Sequence, residues 1–220
     1  MGHITKARTA FCTTAAALAL IVGATPALAT NPAGVAGLGS ATVVKNGVAD
    51  TVPPLAVCAV DGQTSASSPG DTATGVKFGP GSSTCTTTVV DPVNSTTSTK
   101  SEATGGQFEL SGLVLLGGPR VKINTYKVTC TATHTGTTVG WTFSGLSGLT
   151  GVPSPVPVNY QRELKSLLGV TLATITFNEV VLPSPNDGSI ALNMAHVRFL
   201  PPSGVSGDVV VGATACSPTP

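Results

Sequence analysis

The 220-residue chain carries few charges, and their distribution argues against two common kinds of binding site. Only 10% of its residues are charged, whereas soluble proteins average about 25%. The 11 Lys and Arg residues nearly balance the 10 Asp and Glu residues, and both are scattered along the sequence. We therefore expect neither a nucleic-acid-binding surface, which needs clustered cations, nor an acidic calcium site.

The first 29 residues have the pattern of a secretory signal peptide. Lys6 and Arg8 precede an apolar run over residues 10–24, and small residues follow at the predicted cleavage site after Ala29. The run is shorter than the about 20 apolar residues that a spanning helix needs. No second long apolar segment follows. The sequence therefore predicts an exported, extracellular protein with no membrane span after cleavage.

Nothing in the sequence predicts a covalent anchor. Cys12 lies inside the apolar run without a second small-residue cleavage site beside it, so we do not expect it to carry a lipid. The last residues, CSPTP, contain no hydrophobic tail and no wall-sorting motif. We expect a protein that is released, or that is held at the cell wall by non-covalent contacts.

The mature sequence is rich in Thr, Ser, Gly, Val and Ala, a composition typical of strands joined by Gly/Pro turns. We predict a flexible lead-in over residues 30–39 and a single extracellular β-rich domain over residues 40–220. Residues 52–60 contain two prolines and predict an edge strand at best. The Ser/Thr-rich residues 94–106 predict an exposed loop.

The second half of the chain is more strongly patterned. Residues 120–133 predict one long strand, but their apolar phase changes near Asn124, which indicates a bulge or bend there. Residues 160–168, YQRELKSLL, predict the one short helix, with three leucines on one face and Gly169 as its stop. Three further strands are predicted, the last two as an antiparallel hairpin, over residues 170–182, 189–200 and 208–216.

Four cysteines remain after cleavage, and an even number in an exported chain favours two disulfides. Three pairings are open, of which we favour Cys58–Cys85, closing a local loop, and Cys130–Cys216, tying an inner strand to the last one. The cysteines are far apart in sequence, and only His134 and His196 accompany them. This spacing argues against zinc, and we expect no metal and no cofactor.

Four segments of the second half resemble the choice-of-anchor P family, a group of exported actinobacterial proteins. They are CTAT at residues 130–133, TFNE at 176–179, NMAHV at 193–197 and GDVVVGATAC at 207–216. The resemblance covers residues 120–216 and, more loosely, the chain from Ser40 onward. It implies an extracellular β-rich domain whose relatives differ in how they attach to the cell envelope. It brings no enzymatic activity with it.

The sequence contains no catalytic spacing that we recognise. There is no G-x-S-x-G nucleophile elbow, no phosphate-binding loop and no dinucleotide fingerprint. The two histidines of the mature chain lie in different strand contexts, and the carboxylates are explained by turns or isolated on separate elements. We expect a protein that is not an enzyme.

The residues of most interest are Asn178, Glu179, Asn193 and His196, which fall within the family-like segments on two neighbouring predicted strands. Met194 and His196 share a phase, so His196 is expected to extend an apolar face. One interpretation is a buried hydrogen-bond network that fixes strand register, because buried polar groups are nearly always paired. The other is a binding cleft that these side chains line.

These patterns together predict an antiparallel β-sandwich or barrel-like domain with one short helix, stapled by disulfides. The function they favour is a secreted or envelope-associated protein with a structural or binding role. Its partners would be cell-wall polysaccharide or another secreted protein. An accessory binding module or inhibitor of a secreted enzyme is the alternative, and an extracellular hydrolase is the third hypothesis.

Overall fold

The computed structural model describes residues 33–219, so the predicted signal peptide and its cleavage site lie outside the described part. Short 3-10 turns occur at Val114–Leu116 and Pro201–Ser203. The rest of the regular structure is β-strand: β1 Gly34–Lys45, β2 Val48–Leu55, β3 Cys58–Ala59, β4 Ser65–Ser68, β5 Asp71–Ala73, β6 Val76–Phe78, β7 Gly81–Asp91, β8 Thr96–Gly105, β9 Phe108–Leu110, β10 Val121–Ile123, β11 Thr125–Thr133, β12 Gly136–Ser144, β13 Tyr160–Lys165, β14 Thr171–Val181, β15 Ile190–Phe199 and β16 Val205–Cys216.

The strands form three antiparallel sheets. The largest has seven strands in the order β13-β14-β15-β16-β1-β2, with β3 also paired to β1. A five-stranded sheet has the order β12-β11-β8-β7-β4, and a small four-stranded sheet has the order β10-β9-β6-β5. The predicted all-β antiparallel fold is confirmed, as are the β15–β16 hairpin and the edge position of the proline-containing strand β2.

A large hydrophobic core joins the sheets, and a smaller cluster lies at Cys130, Ala132 and Cys216. The hydroxyl of Tyr126, on the five-stranded sheet, donates to the carbonyl oxygen of Leu38 on the seven-stranded sheet at 2.8 Å. Both predicted disulfides are present and link the same two sheets, since Cys58–Cys85 joins β3 to β7 and Cys130–Cys216 joins β11 to β16. The sheets therefore pack as a sandwich with covalent links between its layers.

The predicted helix at residues 160–168 is wrong. Its first part is strand β13, whose backbone pairs with β14, and a turn follows at residues 166–169. Of its three leucines only Leu164 is buried, whereas Leu167 and Leu168 are exposed. A strand buries alternate residues, which fits the burial of Leu164 in a segment whose backbone pairs with β14. The described residues contain no α-helix.

The flexible lead-in predicted over residues 30–39 is also wrong where the structure describes it. Residues 34–39 begin β1, which lies between β16 and β2, and Ala36 and Leu38 are buried. The segment is rich in small residues because it is an inner strand packed closely against the second sheet. A side-chain carbon at Gly34 would lie 2.6 Å from atoms of Thr99 and Ser101.

The Ser/Thr-rich residues 94–106 were predicted to be an exposed loop, but most of them form β8 inside the five-stranded sheet. Their small side chains Thr99, Ser101 and Ala103 alternate into the core. The predicted bend near Asn124 is confirmed, since β10 ends just before it and β11 starts just after it. Among the described residues, no helix has the length and apolar character needed to cross a membrane.

Candidate functional site

The candidate site depends on a change of side-chain alternation in β14, β15 and β16. Asn178 and Gly212 have φ values of 51° and 62°, and the pairing register places both opposite Met194. Consecutive residues Met194 and Ala195 consequently both belong to the core. Successive side chains of a strand normally point to opposite faces of the sheet. Two consecutive core residues break this alternation, so every later side chain of β15 lies on the face opposite to the one that regular alternation predicts.

The sequence predicted that His196 extends the apolar face of β15, and this prediction is wrong. Ala195 and Val197 are in the core, and His196 lies between them on the outer face of the seven-stranded sheet. Asn193, on the other side of the break, lies on the same outer face and shares a hydrogen-bond partner with His196. The break in alternation is what brings these two side chains, three residues apart, to one place.

Glu179 of β14 is at the centre of this group. One carboxylate oxygen, Oε2, accepts from Asn193 Nδ2 at 2.9 Å and bonds with His196 Nδ1 at 2.6 Å. The other, Oε1, accepts from the guanidinium of Arg198. Burial opposes ionisation, but the hydrogen bonds from His196, Asn193 and Arg198 outweigh it and lower the pKa of Glu179 from 4.5 to about 2.

His196 links this carboxylate to a second one. Its Nε2 lies 3.1 Å from Oδ2 of Asp208 on β16. Burial disfavours the charged imidazole, but the hydrogen bonds to Asp208 and Glu179 prevail and raise the pKa of His196 above 6.5. We call these five side chains the outer-face network; they are Glu179, Asn193, His196, Arg198 and Asp208.

The polar groups of the network form hydrogen bonds with one another. Both ring nitrogens of His196 face carboxylates, so neither is turned toward a nucleophile. A catalytic triad needs one ring nitrogen on the carboxylate and the other on the nucleophile. The arrangement suits a brace across three strands. In residues 33–219, no cluster of three or more His, Cys, Asp and Glu could hold a metal ion.

The structure brings together three of the four residues singled out in the sequence. Asn178 lies apart, since its amide donates to the carbonyl oxygens of Val156 and Pro157 and holds the loop that leads into β13. Sequence reasoning missed Arg198 and Asp208, and it explained Asp208 as a turn residue. The signal was available in part, because an Arg two residues after His196 shares its face. The observed pairing then places Arg198 opposite Asp208, which the predicted strand ends do not give.

A shallow groove adjoins the network on the outer face. The polar residues Asn159, Gln161 and Thr176 line it beside Glu179, together with the apolar residues 180–182. Asn159 Oδ1 accepts a hydrogen bond from the backbone N–H of Val180, which ties the residue before β13 to β14. The groove thus presents hydroxyl and amide groups on a rigid sheet.

Comparison with known proteins gives no match: no family model matches the chain, and no curated protein or solved structure does so at the significance required. The resemblance of residues 120–216 to the choice-of-anchor P family therefore stays a prediction.

Proposed function

We propose that this protein is exported and acts outside the cell as a non-enzymatic binding protein of the cell envelope, held at the wall by contact. The observation that carries the proposal is the closed outer-face network beside a polar groove. The network links three strands and engages both ring nitrogens of His196 with carboxylates, while the groove beside it is open to solvent. Two disulfides between the sheets fit an oxidising compartment.

A wall polysaccharide is the ligand class that the groove favours. Asn159, Gln161 and Thr176 offer neutral donors and acceptors of the kind that pair with sugar hydroxyls. Binding sites place a few such groups on a rigid scaffold to fix orientation. Gln161 is exposed on β13 and is free to turn toward a ligand, while the sheet beneath it is fixed by β14.

A hydrolase is less well supported by the same geometry. Glu179 and Asp208 both face His196, so their charges are satisfied within the network. A general acid needs a raised carboxyl pKa, and the pKa of Glu179 is lowered instead. We therefore expect that a screen for esterase, glycosidase and peptidase activity finds no activity that depends on Glu179, as tested by a Glu179→Gln substitution.

The proposal is tested by retention on purified cell wall. The disulfide-bonded protein is mixed with wall material from the producing organism and, separately, with cellulose. We expect saturable retention on the wall alone, and a Gln161→Ala variant should weaken it. Gln107→Ala is the matched control, because Gln107 is exposed away from the groove in the link between β8 and β9.

Absence of retention on the wall would refute the envelope role, and the search would turn to soluble secreted proteins as partners. Retention that is equal for the wild-type, Gln161→Ala and Gln107→Ala proteins would keep the envelope role but remove the groove as its site. Hydrolysis of wall material that Glu179→Gln abolishes would replace the binding role with an enzymatic one.

A further inference from the structure

Two neighbouring turns at one end of the sandwich expose large apolar side chains. The 3-10 turn Val114–Leu116 leaves Leu115 95% exposed, and the β13–β14 turn leaves Leu167 and Leu168 93% and 92% exposed. Turns normally carry Gly, Pro, Asn, Asp or Ser. Leucines in both turns thus form an exposed apolar patch, a feature that commonly marks an interaction surface. We call it the leucine tip, defined as Leu115, Leu116, Leu167 and Leu168.

The two turns are held together and to the core. The backbone N–H of Leu167 donates to the carbonyl oxygen of Gly117 at 3.0 Å, which joins the turns. Within the second turn, Gly169 N–H donates to the Ser166 carbonyl at 2.9 Å. Buried leucines lie beside each turn, at Leu113 before the first and Leu172 after the second. The exposed side chains therefore project together from an ordered base.

Four cationic residues flank the two turns in sequence. Arg162 and Lys165 line a groove against Leu167, and Arg120 and Lys122 follow the first turn. Two carboxylates accompany these four cations, since Lys165 pairs with Glu163 and both Arg120 and Lys122 pair with Glu109. These six side chains carry two more positive than negative charges, although residues 30–220 contain one more carboxylate than cations.

We propose that the leucine tip inserts into the surface of an anionic lipid bilayer. A pair of turns with exposed leucines and flanking cations matches the two components of interfacial binding, which are burial of apolar area and attraction to anionic headgroups. The leucines enter the acyl boundary, and Arg162 and Lys165 lie at headgroup level. The surface lies on another part of the molecule from the polar groove, so it acts independently of wall binding.

Vesicle sedimentation tests the proposal with the disulfide-bonded protein. Vesicles of phosphatidylglycerol mixed with phosphatidylcholine should pull the protein down, and vesicles of phosphatidylcholine alone should do so much less. A Leu115→Ser/Leu168→Ser double variant should lose about a hundredfold or more in affinity, since each exposed leucine gains its transfer free energy only in the bilayer. Lys165→Gln should lose about fivefold, and only with the anionic vesicles.

Val93→Ser is the matched control. Val93 is 90% exposed in the β7–β8 turn at the opposite end, where Thr219 donates to the carbonyl of Thr97. This variant should bind vesicles as the wild type does, and all variants should keep the wild-type melting temperature because the altered side chains are exposed.

Three results would overturn the proposal. The wild type could stay in the supernatant with both kinds of vesicle, or the double leucine variant could sediment as the wild type does. The wild type could also form a dimer in solution that the double leucine variant does not form, without binding vesicles, and a second copy of the chain would then be the occupant. Wall retention is measured separately, so its success or failure does not alter these outcomes.

Discussion

Glu179 is the residue on which the outer-face network converges. Its side chain is 13% exposed and accepts hydrogen bonds from three partners, two of them cationic. Such charge-assisted bonds are stronger than neutral ones. Glu163 offers a contrast on the same sheet, because its carboxylate is 55% exposed and pairs with the exposed Lys165.

We predict that Glu179→Gln lowers the free energy of unfolding by about 2–3 kcal/mol, since a neutral amide cannot replace the carboxylate that holds His196 and Arg198. The control Glu163→Gln should cost less than about 1 kcal/mol, because an exposed ion pair contributes little. Urea unfolding of both variants measures the difference. Equal costs for the two substitutions would show that the network is not a structural brace.

The pH dependence of stability follows from the two shifted groups. The folded pKa of Glu179 is below its ordinary 4.5, so its contribution is complete above pH 4.5 and is lost as the pH falls toward 2. The folded pKa of His196 is above 6.5, so its contribution is complete below pH 6.5 and is lost as the pH rises through the folded value. Both contributions are present together between pH 4.5 and 6.5.

We therefore predict that the wild-type protein is most stable between pH 4.5 and 6.5. In a His196→Gln variant, the part of the alkaline decline that belongs to the imidazole should disappear, so the difference between the two proteins narrows above pH 6.5. The measurement is the free energy of urea unfolding at several pH values. A difference that stays constant across the neutral range would mean that His196 is not held as an imidazolium.

At the scale of elements, the left-handed residue in β16 decides which side chains reach the outer face. Gly212 sits opposite Met194 with φ 62°, in contact with the second sheet. A side-chain carbon there would lie 3.1 Å from atoms of Tyr126 and Val128. Gly204 has nearly the same φ, 67°, but has open space around it. Comparing substitutions at Gly204 and Gly212 therefore distinguishes the cost of backbone strain from the cost of crowding between the sheets.

We predict that Gly204→Ala costs about 1–2 kcal/mol, the usual penalty for a left-handed L-residue. Gly212→Ala should cost about 1–3 kcal/mol more, because the added methyl group also overpacks the interface between the sheets. Thermal or urea unfolding of the two variants measures both values. If the two costs are the same, the layers have room at Gly212 and the break in alternation is held by conformation alone.

The strands that the sequence predicted well are those with large alternating apolar residues. Alternation over residues 121–132 located β10 and β11 and even the bend at Asn124. Strands made of small residues were missed in part. The first half of β1 was predicted as a lead-in and β8 as a loop, because both bury Gly, Ala, Ser and Thr where the two sheets approach closely. Hydropathy reflects the free energy of moving a side chain out of water, and this signal is weak for such small side chains.

For the candidate site, the sequence identified most of the residues but not their arrangement. Glu179, Asn193 and His196 were found through their setting in family-like segments. Their common face could not be derived, because Asn178 and Gly212 change the alternation through backbone conformation that a residue count does not reveal. The helix at 160–168 failed differently, since its leucine spacing fits a helix but two of the leucines lie in an exposed turn.

At the scale of the whole molecule, the two disulfides connect the same pair of sheets over very different lengths of chain. Cys130–Cys216 spans 86 residues, and Cys58–Cys85 spans 27. A cross-link stabilises mainly by restricting the unfolded chain, and the effect grows with the logarithm of loop length. Since all four sulfurs are buried at the junction of the two sheets, replacing either pair with serine leaves two buried hydroxyls, and the two removals are directly comparable.

We predict that the Cys130→Ser/Cys216→Ser protein loses about 4.5 kcal/mol and the Cys58→Ser/Cys85→Ser protein about 3.5 kcal/mol, from the chain-entropy relation. The long-range link should matter more because it joins the last strand, β16, to the opposite sheet and closes the longer of the two loops. Urea unfolding of the two double variants gives the comparison. A larger loss from the short link would mean that the loop around β3 to β7, rather than the closing of the sandwich by β16, limits the stability of the fold.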